Sequence, residues 1–169
     1  MVAAQVGSLL GVAALAGVPL RHVKPHGALG NLAADRADVA QAILAAVAAQ
    51  PAPLALLAIS GTALEQVARA AGHPVFSEVF ADRGYLATGR LVPRGQPGAL
   101  IEDADAAVAR MLGFLKTGLM PVVDGPPIPL AAHSICVHGD TPGALTLARR
   151  LRDGLAAEGI GLGPFLAAA

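Results

Sequence analysis

Residues 54–80 read LALLAISGTALEQVARAAGHPVFSEVF, and the order of patterns within them decides the fold class. LALLAI, 54–59, is a run apolar enough for a strand covered on both faces. Ser60, Gly61 and Thr62 then open a helix that closes at Gly72, and PVFSEVF, 74–80, is the next strand. Strand, helix and strand in succession predict parallel strands joined by a helical crossover.

The same alternation extends in both directions. Upstream, residues 2–16 place Val2, Val6, Leu9, Leu10 and Ala13 on one helical face, with Gly17 as a natural stop. Leu20 to Lys24 reads as a strand. Asp35 is expected to cap a helix over 36–49 whose buried stripe is Val39, Ile43, Ala46 and Val47, ended by Pro51 and Pro53. Downstream, residues 84–101 are broken by Gly84, Gly89, Gly95, Gly98, Pro93 and Pro97 and are expected to be irregular. Asp103 begins a helix with Val108, Met111, Leu112 and Leu115 on one face. AHSICVH, 132–138, is a further strand, and Thr141-Pro142 suits the start of a last helix running to about Glu158. Residues 159–163 are expected as a short final strand. The reading is a single α/β domain over 1–169, a parallel sheet with helical crossovers. The pattern alone leaves barrel and open sheet undecided.

Composition narrows the function classes. Apolar residues make up 54% of the 169, charged residues 14%, and twelve basic residues balance twelve acidic ones. Such a chain has too much apolar surface to stay disordered. With no basic patch and only 3% aromatic residues it has neither the electrostatic footprint nor the stacking platform of a nucleic-acid binder. The uncharged stretch 2–20 lacks a basic residue ahead of it, as a signal peptide needs, and is too rich in Ala and Gly for a membrane span. Cys136 is the single cysteine, so no intramolecular disulfide forms, and a cytoplasmic location with no membrane attachment is expected. Cys136 beside His138 reads either as a nucleophile or as a small buried side chain.

Three polar islands interrupt the apolar pattern, each where a strand gives way to a loop. In parallel α/β folds that edge collects functional residues. In VKPHG, 23–27, Lys24 offers a charge for a carboxylate or phosphate and His26 a proton shuttle, with Asn31 just beyond. The bland alternative is a solvated lysine and a histidine bonded to a neighbouring carbonyl. In EVFADR, 78–83, Glu78 and Asp82 are candidate acid/base groups and Arg83 an anion clamp; a structural ion-pair network explains the same residues. In HGDTP, 138–142, Asp140 orients His138 or caps the next helix, whose start can also receive an anion. His22, His73 and His133 read as structural or surface groups. Neither HExxH nor paired CxxC occurs, and neither GxxxxGK[ST] nor GxGxxG; a divalent site at His26 and His138 with Asp82 or Asp140 rests on no ligand signature, so metal use stays open.

These islands carry a family resemblance. HVKPHGALxN (22–31), EVFADRxY (78–85) followed by GxLVPR (89–94), and SICVHGDTP (134–142) resemble the LamB/YcsF family, the A subunits of 5-oxoprolinase, from about Gln5 to Gly161. The resemblance implies part of an incomplete (β/α) barrel of the glycoside hydrolase/deacetylase type. It also implies ATP-dependent opening of 5-oxoproline to L-glutamate together with subunits B and C. By the motifs, Lys24, His26 and Asn31, then Glu78, Asp82 and Arg83, then His138 and Asp140 are expected to line one pocket. Lys24 and Arg83 would hold carboxylate or phosphate, and Asp82, His26 or His138 would move protons. Asn31, Glu78 and Asp140 join the substrate- and phosphate-binding set.

Two departures from the family follow. Gly30 stands where the family usually has Tyr, and the family's DxNxDxGE and GFHAGD motifs are absent. The chain is therefore expected to be the C-terminal part of the barrel, with exposed strand edges that favour poor solubility or self-association, a possible homo-oligomer. The alternatives carried beside the oxoprolinase reading are a metal-dependent amide or polysaccharide deacetylase and a non-catalytic assembly fragment.

Overall fold

The structure, a computed structural model, describes residues 1–139 and 143–166. They form two compact units, Met1–Ser77 and the segment from Glu78 onward. The boundary falls within one strand.

The first unit contains α1 (Val2–Leu15), β1 (His22–Val23), α2 (Gly27–Asp35), α3 (Ala37–Ala48), β2 (Ala55–Ile59), α4 (Ala63–Ala70) and the start of β3 (Val75–Phe80). β1 pairs with β2 in parallel, His22 opposite Ala55 and Val23 opposite Leu56. Leu56 N–H donates to the carbonyl of Pro74, just ahead of β3, so β2 lies between its two neighbours. Its first four residues are buried, as the uninterrupted apolar run predicts. The core of this unit joins Leu54, Leu56 and Ala58 to Ile43 and Val47 of α3 and Leu64 and Ala68 of α4. Burying one such large aliphatic side chain is worth roughly 1.5–3 kcal/mol, so these few residues supply much of the unit's driving force.

Two expectations change here. The helix foreseen over 36–49 is α3, but Asp35 does not cap it: Asp35 is the last residue of α2, and Arg36, extended at φ −111° and ψ 112°, separates the two helices. On α1 the foreseen face is only partly used. Val6 and Ala13 are buried, whereas Leu9 is 55% exposed.

The second unit contains the end of β3, α5 (Ala104–Thr117), β4 (Leu119–Met120), β5 (Ile128–Pro129), β6 (Ser134–Cys136) and α6 (Ala144–Ala157). β3 and β6 are parallel, with Glu78 opposite Ser134, Val79 opposite Ile135 and Phe80 opposite Cys136. The strand order is β1-β2-β3-β6. α5 begins where Asp103 predicts: its carboxylate accepts the N–H groups of Asp105 at 2.9 Å and Ala106 at 3.4 Å. α5 packs on α6, whose buried stripe is Leu147, Leu151 and Leu155. The antiparallel pair β4–β5 is an element the sequence reading missed. β6 is shorter than the foreseen 132–138, and 159–163 form no strand. The foreseen helix start at Thr141-Pro142 lies outside the described residues; α6 is described from Ala144, after Gly143.

Residues 84–101 are irregular, as glycine and proline predict, but they fold back on the end of β3. Gly84 N–H donates to Ala99 O, Val92 N–H to Gly84 O and Ile101 N–H to Asp82 O. The approach is close: a Cβ on Gly84 would lie 1.9 Å from the carbonyl oxygen of Gly98, so only glycine fits.

Candidate active site

Asp82 leaves the end of β3 and His138 follows β6, the strand beside it. Parallel strands in register deliver both residues to the same edge, which is why two islands 56 positions apart in sequence meet. The Asp82 carboxylate takes two groups from His138. The backbone N–H donates to Oδ2 at 2.9 Å, and ring Nδ1 lies 2.9 Å from both Oδ1 and Oδ2. The side chains are nearly closed to water, 5% exposed for Asp82 and 15% for His138.

This arrangement fixes the imidazole. A carboxylate facing Nδ1 selects the tautomer with its proton on Nδ1 and its lone pair on Nε2. Phe80 stacks on the ring at 5.4 Å between centroids and 11° between planes, which removes the remaining rotation. Oriented in this way, His138 can accept a proton at Nε2 while Asp82 stabilises the imidazolium that results.

The backbone carrying Asp82 is held in turn. Tyr85, fully buried, accepts the Phe80 N–H on its hydroxyl oxygen at 3.0 Å. Burial pushes the Tyr85 hydroxyl well above its usual range, although the bond from Phe80 N–H pulls the other way. Arg110, from α5, donates through one nitrogen, Nη2, to the carbonyls of Phe80 at 2.8 Å, Ala81 at 3.1 Å and Arg83 at 2.8 Å. Its guanidinium lies 5.8 Å from the Tyr85 ring centre, a cation–π arrangement.

Arg83 points into the loop that follows it. Its Nε donates to Ala99 O at 3.0 Å and its Nη2 to Val92 O at 2.7 Å, and burial lowers its pKa. Two of its donor nitrogens are thus committed to backbone. Glu78 is buried on β3, one alternation before Phe80 on the same strand face. Asp140 lies outside the described residues. Among those described, a cavity of about 510 Å³ opens beside Asp82. Leu100, Ile101, Ala144 and Leu147 give it apolar walls, and Glu102, Thr146 and Arg150 its polar groups. Its size falls within the roughly 300–1,000 Å³ of small-molecule pockets.

The first island belongs to the other unit. Lys24 and Pro25 are half-buried in the turn after β1. His26 is the exposed N-cap of α2, with no side-chain bond into the helix, and Asn31 is exposed on α2. Gly30 sits so close to Pro25 that a Cβ would fall 2.9 Å from the Pro25 oxygen. A larger residue there, tyrosine included, would require the turn to move. Among the described residues no group of three or more His, Cys, Asp or Glu side chains is placed to hold a metal ion. No helix among them is long and apolar enough to cross a membrane.

Arg110 and the hydroxyl of Tyr85 are the contributors that sequence reading missed. The available signal was position: Arg110 falls three residues after Ala107 and four before Phe114, both buried, which puts a cation on the inward stripe of α5.

Comparison with known proteins agrees with this architecture. The A subunit of 5-oxoprolinase from Chloroflexus aggregans is 50% identical over 94% of this chain, and that from Nocardia farcinica is 50% identical over 92%. The chain spans 63% and 62% of their respective lengths. The crystal structure of a lactam utilization protein from Thermus thermophilus matches with a TM-score of 0.84 at 38% identity, covering 94% of this chain and 63% of that one. The expected fold class therefore holds: a parallel sheet with helical crossovers, part of an incomplete (β/α) barrel. The LamB/YcsF family model matches residues 1–169, and the chain belongs to the LamB/YcsF family.

Proposed function

We propose that this chain is part of the A component of a 5-oxoprolinase and takes part in the ATP-dependent hydrolytic opening of 5-oxoproline to L-glutamate, with subunits B and C as partners. The names of its relatives support the reaction class. The observation that carries the assignment of the site is the pair Asp82–His138, its side chains 5% and 15% exposed, the carboxylate facing ring Nδ1 at 2.9 Å and Asp82 itself lining a pocket.

The chemistry asks for such a pair. A lactam is a poor electrophile, which gives coupling to ATP its purpose: a phosphoryl group on the amide oxygen opens the ring carbon to water. His138 Nε2 takes a proton from the attacking water as the new C–O bond forms. The same proton goes to the ring nitrogen as the C–N bond breaks, which frees the amine and leaves the former ring carbon as an acyl phosphate; a second water then cleaves it to the carboxylate of glutamate and inorganic phosphate. Asp82 holds the imidazole throughout. The apolar walls of the pocket suit the ring methylenes. From the first motif, Lys24 and Asn31 are carried over for phosphate or carboxylate and His26 for proton movement. Glu78 and Asp140 complete the binding set carried over from the family motifs. Arg83, with two donors committed to loop carbonyls, contributes charge from behind Asp82.

The test is 5-oxoproline-dependent ATP hydrolysis and glutamate release by this chain mixed with subunits B and C, and by a full-length relative carrying the same residues. Turnover that needs 5-oxoproline supports the reading. A full-length protein silent with 5-oxoproline in the presence of both partners refutes it.

A further inference from the structure

We propose that Arg110 is a positioning residue whose task is to hold the Phe80–Arg83 turn so that Asp82 meets His138. The inference rests on the reading of Asp82 and His138 as the reacting pair.

Three observations converge on it. First, the three carbonyls that Arg110 Nη2 engages, those of Phe80, Ala81 and Arg83, bracket Asp82 on both sides. The carbonyl of Asp82 itself goes elsewhere, to Ile101 N–H. A turn whose carbonyls converge on one cation cannot rotate any of its peptide planes without losing a charge-assisted bond. Asp82 therefore leaves the backbone in one direction.

Second, the guanidinium is placed at a cost. Its Nε is buried and has no hydrogen-bond partner among the described residues, and burial lowers its pKa. A buried donor without a partner costs about 1–3 kcal/mol. A side chain serving only to fill space between α5 and the end of β3 would be better replaced by an apolar residue, as Met111 and Phe114 are on the same face. Third, its charge acts on Asp82 and on Tyr85, the residue whose hydroxyl secures Phe80 N–H. One cation thus governs the strand end through backbone, carboxylate and ring together.

Hydrogen exchange at fixed pH tests this without recourse to turnover. The probes are the His138 backbone N–H, which donates to Asp82, and the His138 Nδ1 proton seen by NMR. In Arg110→Met both should exchange about tenfold faster or more, while amides at Leu56, Met111 and Leu151 keep their wild-type rates. If that variant does not fold, Arg110→Lys is read by the same criterion, since its ammonium ends short of the three carbonyls. Unchanged exchange at His138, a uniform rise across the second unit, or loss of fold in both variants overturns the proposal; the last two would make Arg110 a general prop. In the assembled enzyme the selective variant should lose kcat with KM near wild type. A selective exchange effect with kcat unchanged in an active assembly keeps the placement and rejects the pair as the reacting groups.

Discussion

Asp82 accepts both the backbone N–H and the ring Nδ1 of His138, each at 2.9 Å, so a single carboxylate sets the position and the tautomer of that histidine. Asp82→Asn separates the two tasks. The amide oxygen still accepts one bond, but the amide nitrogen can only donate, which favours the tautomer with Nδ1 as acceptor and the proton on Nε2. The fold should survive, judged by circular dichroism, while kcat in the assembled enzyme falls on the order of 10²–10⁴-fold. A variant within twofold of wild type would remove Asp82 from the mechanism.

Tyr85→Phe leaves the Phe80 N–H without its acceptor in a fully buried setting, and should cost about 1–3 kcal/mol in urea denaturation. The variant also has an alkaline signature. The folded pKa of Tyr85 is raised, so its contribution is fully present below the unfolded value near 10 and is lost as pH rises beyond it. Wild-type stability should therefore fall above about pH 10 more steeply than that of Tyr85→Phe. Parallel curves for the two proteins would show that Tyr85 does not set the alkaline limit.

Glu65 governs the acid side in the first unit. Burial works to raise its pKa, but bonds from Ser77 Oγ, Arg69 Nη2 and Gly61 N–H outweigh that and leave it lowered. The stability it contributes is present above its unfolded pKa of about 4.3 and is lost as pH falls through the lower folded value. Urea midpoints of Glu65→Gln should be lower than wild type at pH 7 and converge with it towards pH 3. A gap that is constant with pH would point to packing rather than charge.

Gly84→Ala should be the most damaging small substitution in the second unit. The added Cβ would meet Gly98 O at 1.9 Å, a backbone atom that cannot rotate away. A loss of about 3 kcal/mol or more is expected, with the 84–101 segment becoming the preferred site of limited proteolysis. Wild-type resistance to protease would contradict the tight backing of Asp82 by this loop.

Much of the fold was legible because short-range rules decide it. The apolar run 54–59, the cap at Asp103 and the breakers in 84–101 act within a few residues of themselves, and each element formed where its pattern placed it. The boundary at Asp35 was misread because a good capping residue competed with a helix already running through it. The pair β4–β5, two residues to a strand, leaves too little periodicity to read.

Within the site, the islands marked which strand ends carry polar groups, but not how those groups share their bonds. That Asp82 pairs with His138, while Arg83 turns to Val92 and Ala99, depends on register and on the path of a loop. Arg110 is farther still from local rules. Its partners are 27 to 30 positions away, and it engages only their backbone. Backbone carbonyls leave no trace in side-chain pattern.

The measurement that bears most directly on the account is 5-oxoproline-dependent glutamate release by the three assembled subunits, comparing the native sequence of this chain with His138→Ala and with Cys136→Ala as a neighbouring control. The account predicts native and Cys136→Ala rates of the same order, and a loss of about 10²-fold or more for His138→Ala with its circular dichroism intact. A folded His138→Ala that releases glutamate at the native rate would contradict it.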